Sequence, residues 1–185
     1  MEPLSNSIIL IGFKHVGKSV IGSELASRLG LPFIDLDKEI ERAFEREYQE
    51  KCSCRQIMEK QGELFFRNLE RNSLAQMLQS KPSIISLGGG TPINEENQQL
   101  IKPHTVIHIT AKREVVFERI MIRGRPAFLS VEESPLVALN RLWDERIKIY
   151  KKLTNLSINN DGSVSSAVDQ IIQHLFLHEG IRRSS

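Results

Sequence analysis

Gly12-Phe13-Lys14-His15-Val16-Gly17-Lys18-Ser19 matches the pattern G-x-x-x-x-G-K-[ST] at every fixed position. Its flanks are of the kind the pattern needs. Ile8-Ile9-Leu10-Ile11 before it is a short apolar run of strand type, and Ser19 to Leu29 reads as a helix with Ile21, Leu25 and Leu29 on one face. Strand, glycine loop and helix in that order make a phosphate-binding loop. The glycines let backbone N–H groups converge on phosphate oxygens, and the helix N-terminus adds a partial positive charge. Lys18 supplies a point charge for the β- and γ-phosphates, and the Ser19 hydroxyl is suited to Mg²⁺. A nucleoside triphosphate is the expected ligand, held around Gly12, His15, Val16, Gly17, Lys18, Ser19 and Val20.

The rest of the chain bounds what such a loop can serve. The chain has 185 residues, 40% hydrophobic and 26% charged, an ordinary globular composition with enough length for a core. A formal charge of +2 gives no support for a nucleic-acid or membrane-surface role driven by bulk charge. No apolar run approaches the roughly 18 residues that span a bilayer. The N-terminal Met-Glu-Pro-Leu-Ser-Asn has no basic region of a secretory signal, so a cytoplasmic location is expected. Cys52 and Cys54 are too close for an ordinary disulfide and have no second pair for zinc. They read as free thiols near a helix start.

Short apolar runs alternate with helical stretches. Phe33-Ile34, Ser83 to Leu87, Thr105 to Ile109 and, more weakly, Leu156 to Ile158 are strand-like. Leu136, Leu139, Leu142, Trp143, Ile147 and Tyr150 form one helical stripe; Val164, Val168, Ile171, Ile172 and Leu175 form another. This predicts an α/β architecture: one domain over 1–185 with a short parallel sheet of about five strands between helices, in the three-layer P-loop manner. A mostly helical insert over 37–78, a polar lid over 122–134 and a loose tail over 179–185 interrupt or end the alternation. Ligands in such sheets bind beyond the carboxyl ends of the strands. The glycine loop, Asp35 and Gly88 all fall there.

Five further groups carry chemistry. Asp35-Leu36-Asp37 reads as an extended segment whose carboxylates share a face, one for Mg²⁺ and one for a hydroxylated acceptor, with a helix N-cap at Asp37 as the plainer reading. Arg67 and Glu70 stand i,i+3 on an amphipathic helix, either as a surface pair or with Glu70 orienting the Arg67 fork toward a carboxylate. Gly88-Gly89-Gly90 ends the third strand where a backbone must approach a ligand closely, or where a turn is simply flexible. Arg119, Arg123 and Arg125 cluster around the lid. They suit a closing positive charge better than an Arg-Gly-Arg-Pro hook for DNA. Arg146 lies at the edge of the buried stripe, either reaching inward or snorkelling to solvent.

In this order the motifs resemble those of the shikimate kinase family, from Ile8 to about Leu175. The matching pieces are the phosphate loop, Asp35-x-Asp37, Phe66-Arg67-x-x-Glu70, Leu87-Gly-Gly-Gly90, Arg125-Pro126 and Glu145-Arg146 before Tyr150. The resemblance implies MgATP-dependent phosphorylation of the 3-hydroxyl of shikimate, on the way to aromatic amino acids. It implies that Asp37 binds ring hydroxyls and takes the attacking proton, and that Arg67 and Arg146 hold the carboxylate. Gly88, Gly89 and Gly90 would line the acceptor site. Arg125 would reach phosphate and acceptor, Ser19 and Asp35 would serve the metal, and Arg119 would stack on the adenine, helped by the Asn159-Asn160-Asp161 loop. The chain departs from the family pattern at Arg125-Pro-Ala-Phe-Leu129, at Arg146-Ile-Lys-Ile-Tyr150, which lacks a proline, and at Lys14 and His15. A small-molecule enzyme working as a monomer is expected. Two other readings stay open at this point: a kinase for another small hydroxy acid such as gluconate, and a nucleotide-binding protein without catalysis.

Overall fold

The computed structural model describes residues 6–123, 134–154 and 156–178. Five parallel strands form one sheet in the order β2-β3-β1-β4-β5: β1 Ile8–Ile11, β2 Phe33–Asp35, β3 Ile84–Ser86, β4 Thr105–Thr110 and β5 Ser157–Asn159. The Ile-Ile-Leu-Ile run becomes the central strand because it can be buried on both faces, and all four side chains are. Alternation sends Ile8 and Leu10 to one core, with Ile21, Leu25, Val168 and Ile171. Ile9 and Ile11 enter the other, with Leu36, Ile40, Phe44 and Leu74.

Among the described residues eight α-helices flank the sheet: α1 Lys18–Leu29, α2 Leu36–Tyr48, α3 Cys54–Gln61, α4 Glu63–Leu78, α5 Glu95–Ile101, α6 Arg113–Arg123, α7 Pro135–Leu153 and α8 Val164–His178. The expected helical insert is thus three helices. The second of them starts with a capping box, in which the Ser53 side chain accepts from Gln56 N–H and the Gln56 side chain accepts from Ser53 N–H. Cys54 opens that helix and Cys52 is buried just before it, both free thiols. The sequence reading missed α5, which Asn94 caps by accepting from the N–H groups of Glu96 and Asn97. It also started the lid too early, since Ile122 and Arg123 still belong to α6. Gly124, Arg125 and most of the expected lid lie outside the described residues, as does the tail from 179.

Candidate active site

Two kinds of construction meet at the carboxyl ends of the strands. The first is the glycine loop after β1. Gly12 has φ 144°, and a Cβ there would lie 2.1 Å from the Ile109 carbonyl oxygen on β4. Gly17 has φ 100°, and its Cβ would lie 2.3 Å from Asn160 Nδ2. No other residue fits either place. His15 also has a positive φ, 67°, whereas Val16 between it and Gly17 does not. Alternating hand turns successive N–H groups to one side, which makes an anion-binding concavity.

Side chains from distant elements fasten this loop. Asn160 Nδ2 donates to the Val16 carbonyl at 2.8 Å, and Arg119 Nη1 donates to the His15 carbonyl at 3.1 Å. Val16 itself is fully buried, so its part in the loop is played by its backbone. Lys18 Nζ donates to the carbonyls of Gly12 and Phe13, both at 2.9 Å. Burial lowers the Lys18 pKa to about 8, against the raising effect of Asp37 and Asp35. Ser19 Oγ donates to Asp35 Oδ2 at 2.6 Å.

The second construction is assembled from separate segments. Helix α2 begins at Leu36, so Asp35-Leu36-Asp37 is not an extended run. Asp35 stands at the N-cap position but makes no capping bond; its carboxylate is engaged by Ser19. Leu36 enters the core and Asp37 sits in the first helical turn. The helix start corrects both the shared extended face and the N-cap at Asp37, yet both carboxylates line one cleft of about 440 Å³ with Lys18 and Ser19. Burial raises the Asp37 pKa first and the neighbouring Asp35 raises it further, while Lys18 opposes them.

Arg67 Nη1 donates to Glu70 Oε2 at 3.0 Å. This is not a surface pair, because Glu70 is 2% exposed and its other oxygen accepts from Thr91 Oγ1 at 2.7 Å. Arg146 reaches inward from α7, its guanidinium 5.4 Å from the centre of the Phe13 ring. The triple glycine brings these groups together. None of the three has a positive φ, so turn conformation does not require them. Room matters most at Gly88, where a Cβ would lie 2.8 Å from Asp37 Oδ1; one on Gly89 would lie 3.2 Å from the Lys14 backbone nitrogen and 3.5 Å from Arg146 Nη1, and one on Gly90 would make ordinary contact at 3.5 Å with the Arg67 guanidinium nitrogens.

The cleft is lined by His15, Gly17, Lys18, Ser19 and Val20 from the loop side, by Arg119 and Asn160, and by Asp35, Asp37, Gly88 and Gly89. Gly12, Val16, Arg67, Gly90 and Arg146 do not line this cleft; Arg67 approaches Gly90 and Arg146 approaches Gly89. Arg125 lies outside the described residues. Sequence reasoning missed Lys14 and Ser86 as lining residues, and also Thr91 and the Tyr150 phenol, which donates to the Gly89 carbonyl at 2.6 Å. The available signals were a hydroxyl directly after three glycines and a tyrosine one turn after Arg146. Among the described residues no cluster of three His, Cys, Asp or Glu could hold a metal. Ser19 and Asp35 offer oxygen donors alone, which fits a small hard cation that takes its remaining ligands from phosphate and water.

A central strand feeding a phosphate-type loop, beside a second half built from carboxylates and arginines, defines a P-loop kinase of small molecules. Comparison with known proteins narrows the class. A family model described as shikimate kinase matches residues 14–176. A shikimate kinase from Ruegeria pomeroyi is 32% identical over 175 residues, covering 93% of this chain and 86% of that protein. The structure of shikimate kinase from Acinetobacter baumannii in complex with shikimate aligns with a TM-score of 0.81 at 27% identity, covering 96% of each chain. Shikimate kinase from Aquifex aeolicus aligns with a TM-score of 0.75 at 34% identity, over 92% of this chain and 96% of that one. The chain belongs to the shikimate kinase family.

Proposed function

We propose that the protein transfers the γ-phosphate of MgATP to the 3-hydroxyl of shikimate, giving shikimate 3-phosphate and ADP. The observation that carries the choice of acceptor is the convergence of Asp37, Arg67 and Arg146 on one glycine turn beside the phosphate loop. Two guanidinium groups near one place suit a carboxylate. A carboxylate raised in pKa, with a lysine across the cleft, suits the proton of an attacking hydroxyl. Asp37 orients the acceptor hydroxyl and accepts its proton. Lys18 and the loop N–H groups, with those of α1's first turn, stabilise charge on the phosphates. Ser19 and Asp35 hold Mg²⁺, which when bound neutralises charge on the nucleotide. Arg119 and Asn160 flank the base, and Arg125 supplies positive charge to phosphate and acceptor.

Nucleotide-dependent small-molecule chemistry of this kind needs no macromolecular partner, and we assign it to a cytoplasmic monomer serving aromatic amino acid synthesis. No helix among the described residues is long and apolar enough to cross a membrane. The test is ADP release in a coupled assay with MgATP and either shikimate or gluconate. Turnover that depends on shikimate is the expected result. Turnover on gluconate instead would replace the acceptor, and ATP binding without turnover on either would favour a non-catalytic nucleotide-binding protein.

A further inference from the structure

Gly88, Gly89 and Gly90 carry no side chains, yet both arginines approach the turn they form. Each approach has a buried hydroxyl beside it. On one side Arg67 donates to Glu70, and the second oxygen of Glu70 accepts from Thr91 Oγ1. Thr91 N–H in turn donates to the Gly88 carbonyl at 3.1 Å. On the other side the Tyr150 phenol, one turn along α7 from Arg146, donates to the Gly89 carbonyl at 2.6 Å, and the Arg146 guanidinium approaches the same glycine, where a Cβ would lie 3.5 Å from its Nη1. Thr91 is 0% and Tyr150 1% exposed.

We infer that Thr91 and Tyr150 are positioning residues: their hydroxyls register the Arg67 and Arg146 guanidinium groups on the triple-glycine turn, setting the gap that receives the acceptor's carboxylate. The inference rests on the carboxylate reading of these arginines given above. Neither hydroxyl is needed to hold its own residue in place. The main chain of Thr91 is fixed by Gly88 through its N–H and by Asn97 Nδ2, which donates to its carbonyl at 3.0 Å. Tyr150 is anchored by its ring, which belongs to the core cluster of Ile9 and Ile11 and lies 5.2 Å from the His108 ring. What the hydroxyls fix is direction. With both oxygens engaged, the plane of the Glu70 carboxylate is set and the Arg67 fork with it. Without Thr91 Oγ1, Glu70 can turn, and Arg67 has an exposed competitor in Glu63, 3.5 Å from its Nε.

The experiment compares the wild-type protein with Thr91→Val, Thr91→Ser, Tyr150→Phe and Arg67→Ala. Shikimate and ATP affinities are read as separate KM values and, for shikimate, by calorimetric titration. Thr91→Val and Tyr150→Phe should each weaken shikimate binding about three- to tenfold while moving the KM for ATP less than about twofold, the scale of one oriented hydrogen bond. Thr91→Ser, which keeps the hydroxyl, should stay near wild type. A purely structural role predicts a different pattern: a lowered melting midpoint with both KM values rising together, and that result overturns the inference. Unchanged shikimate affinity in both variants overturns it as well. If Arg67→Ala weakens shikimate binding while the hydroxyl variants do not, the carboxylate reading stands and the positioning role is wrong. If Arg67→Ala has no effect on shikimate binding, the carboxylate reading fails and the positioning role falls with it. Should Thr91→Val not fold, Tyr150→Phe carries the same comparison, since it keeps the ring in the core.

Discussion

The half of the cleft proposed to hold the nucleotide and the half proposed to hold the acceptor share a boundary but are built on different principles. The nucleotide half centres on eight consecutive residues whose backbone shapes the loop, with Gly12 and Gly17 fixed by positive φ and by neighbours that leave no room for a Cβ, and the Lys18 and Ser19 side chains add to it. The acceptor half is drawn from α2, α4, the turn after β3 and α7, and its active parts are side chains. A backbone site tolerates change between its fixed points, which is how Lys14 and His15 can sit in the loop. A side-chain site depends on long-range packing, so each of its residues needs a second one to aim it. Glu70 aims Arg67, and Phe13 lies beneath Arg146.

Four changes would break or sharpen this contrast. The largest effect is expected from Asp37→Asn, which keeps shape but cannot take a proton. Turnover should fall about 10²- to 10⁴-fold with ATP affinity retained. Measuring the two separately decides it, because loss of ATP affinity with turnover kept would move Asp37 into the nucleotide half. Lys18→Ala should lower turnover about 10²- to 10³-fold without unfolding the protein. A purified variant with wild-type turnover would remove the electrostatic role of the loop lysine. Arg67→Ala or Arg146→Ala should raise the acceptor's dissociation constant at least about tenfold and leave ATP nearly untouched, each charge-assisted bond being worth roughly 1.5–3 kcal/mol. Lysine in either place should recover only part, since an ammonium lacks the planar fork.

The smallest effect is a pH dependence that the two halves divide between them. Burial holds Lys18 at about 8, so its charged form is lost as pH rises through that value. The kcat/KM for ATP, which reports the free enzyme, should therefore fall on the alkaline side from about pH 8. Asp37 is raised, so it becomes protonated at a higher pH than an ordinary carboxylate. The kcat/KM for shikimate should begin to fall on the acid side from above the usual carboxylate range. Profiles for the two substrates that are superimposable over the whole range would contradict the division.

The same contrast explains what the sequence could disclose. The glycine loop was legible because its chemistry is local: strand, loop and helix are contiguous and each carries its own signal. The sheet was legible for the same reason, from β-branched runs at intervals. Family resemblance brought Arg67 and Arg146 to one ligand, because no periodicity joins residues that far apart. The start of α2 was misjudged because Asp35 and Asp37 are spaced alike in a strand end and in a first helical turn, and only Leu36, drawn into the core, decides between them. Thr91 was passed over because a threonine after glycines has no pattern of its own. Its role depends on Glu70, which lies 21 residues earlier.

The central claim is that the acceptor half is built around a carboxylate, and one comparison addresses it most directly. Steady-state kinetics with shikimate and with its neutral carboxamide should be measured for the wild-type protein, Arg67→Ala and Arg146→Ala. The wild-type protein should favour the acid by at least about tenfold in kcat/KM, as expected for charge-assisted bonds to an ionised group. Each alanine variant should lose most of that preference while keeping its KM for ATP. If all three proteins treat acid and amide alike, the two arginines do not hold a carboxylate, and the acceptor half must be built for a different ligand.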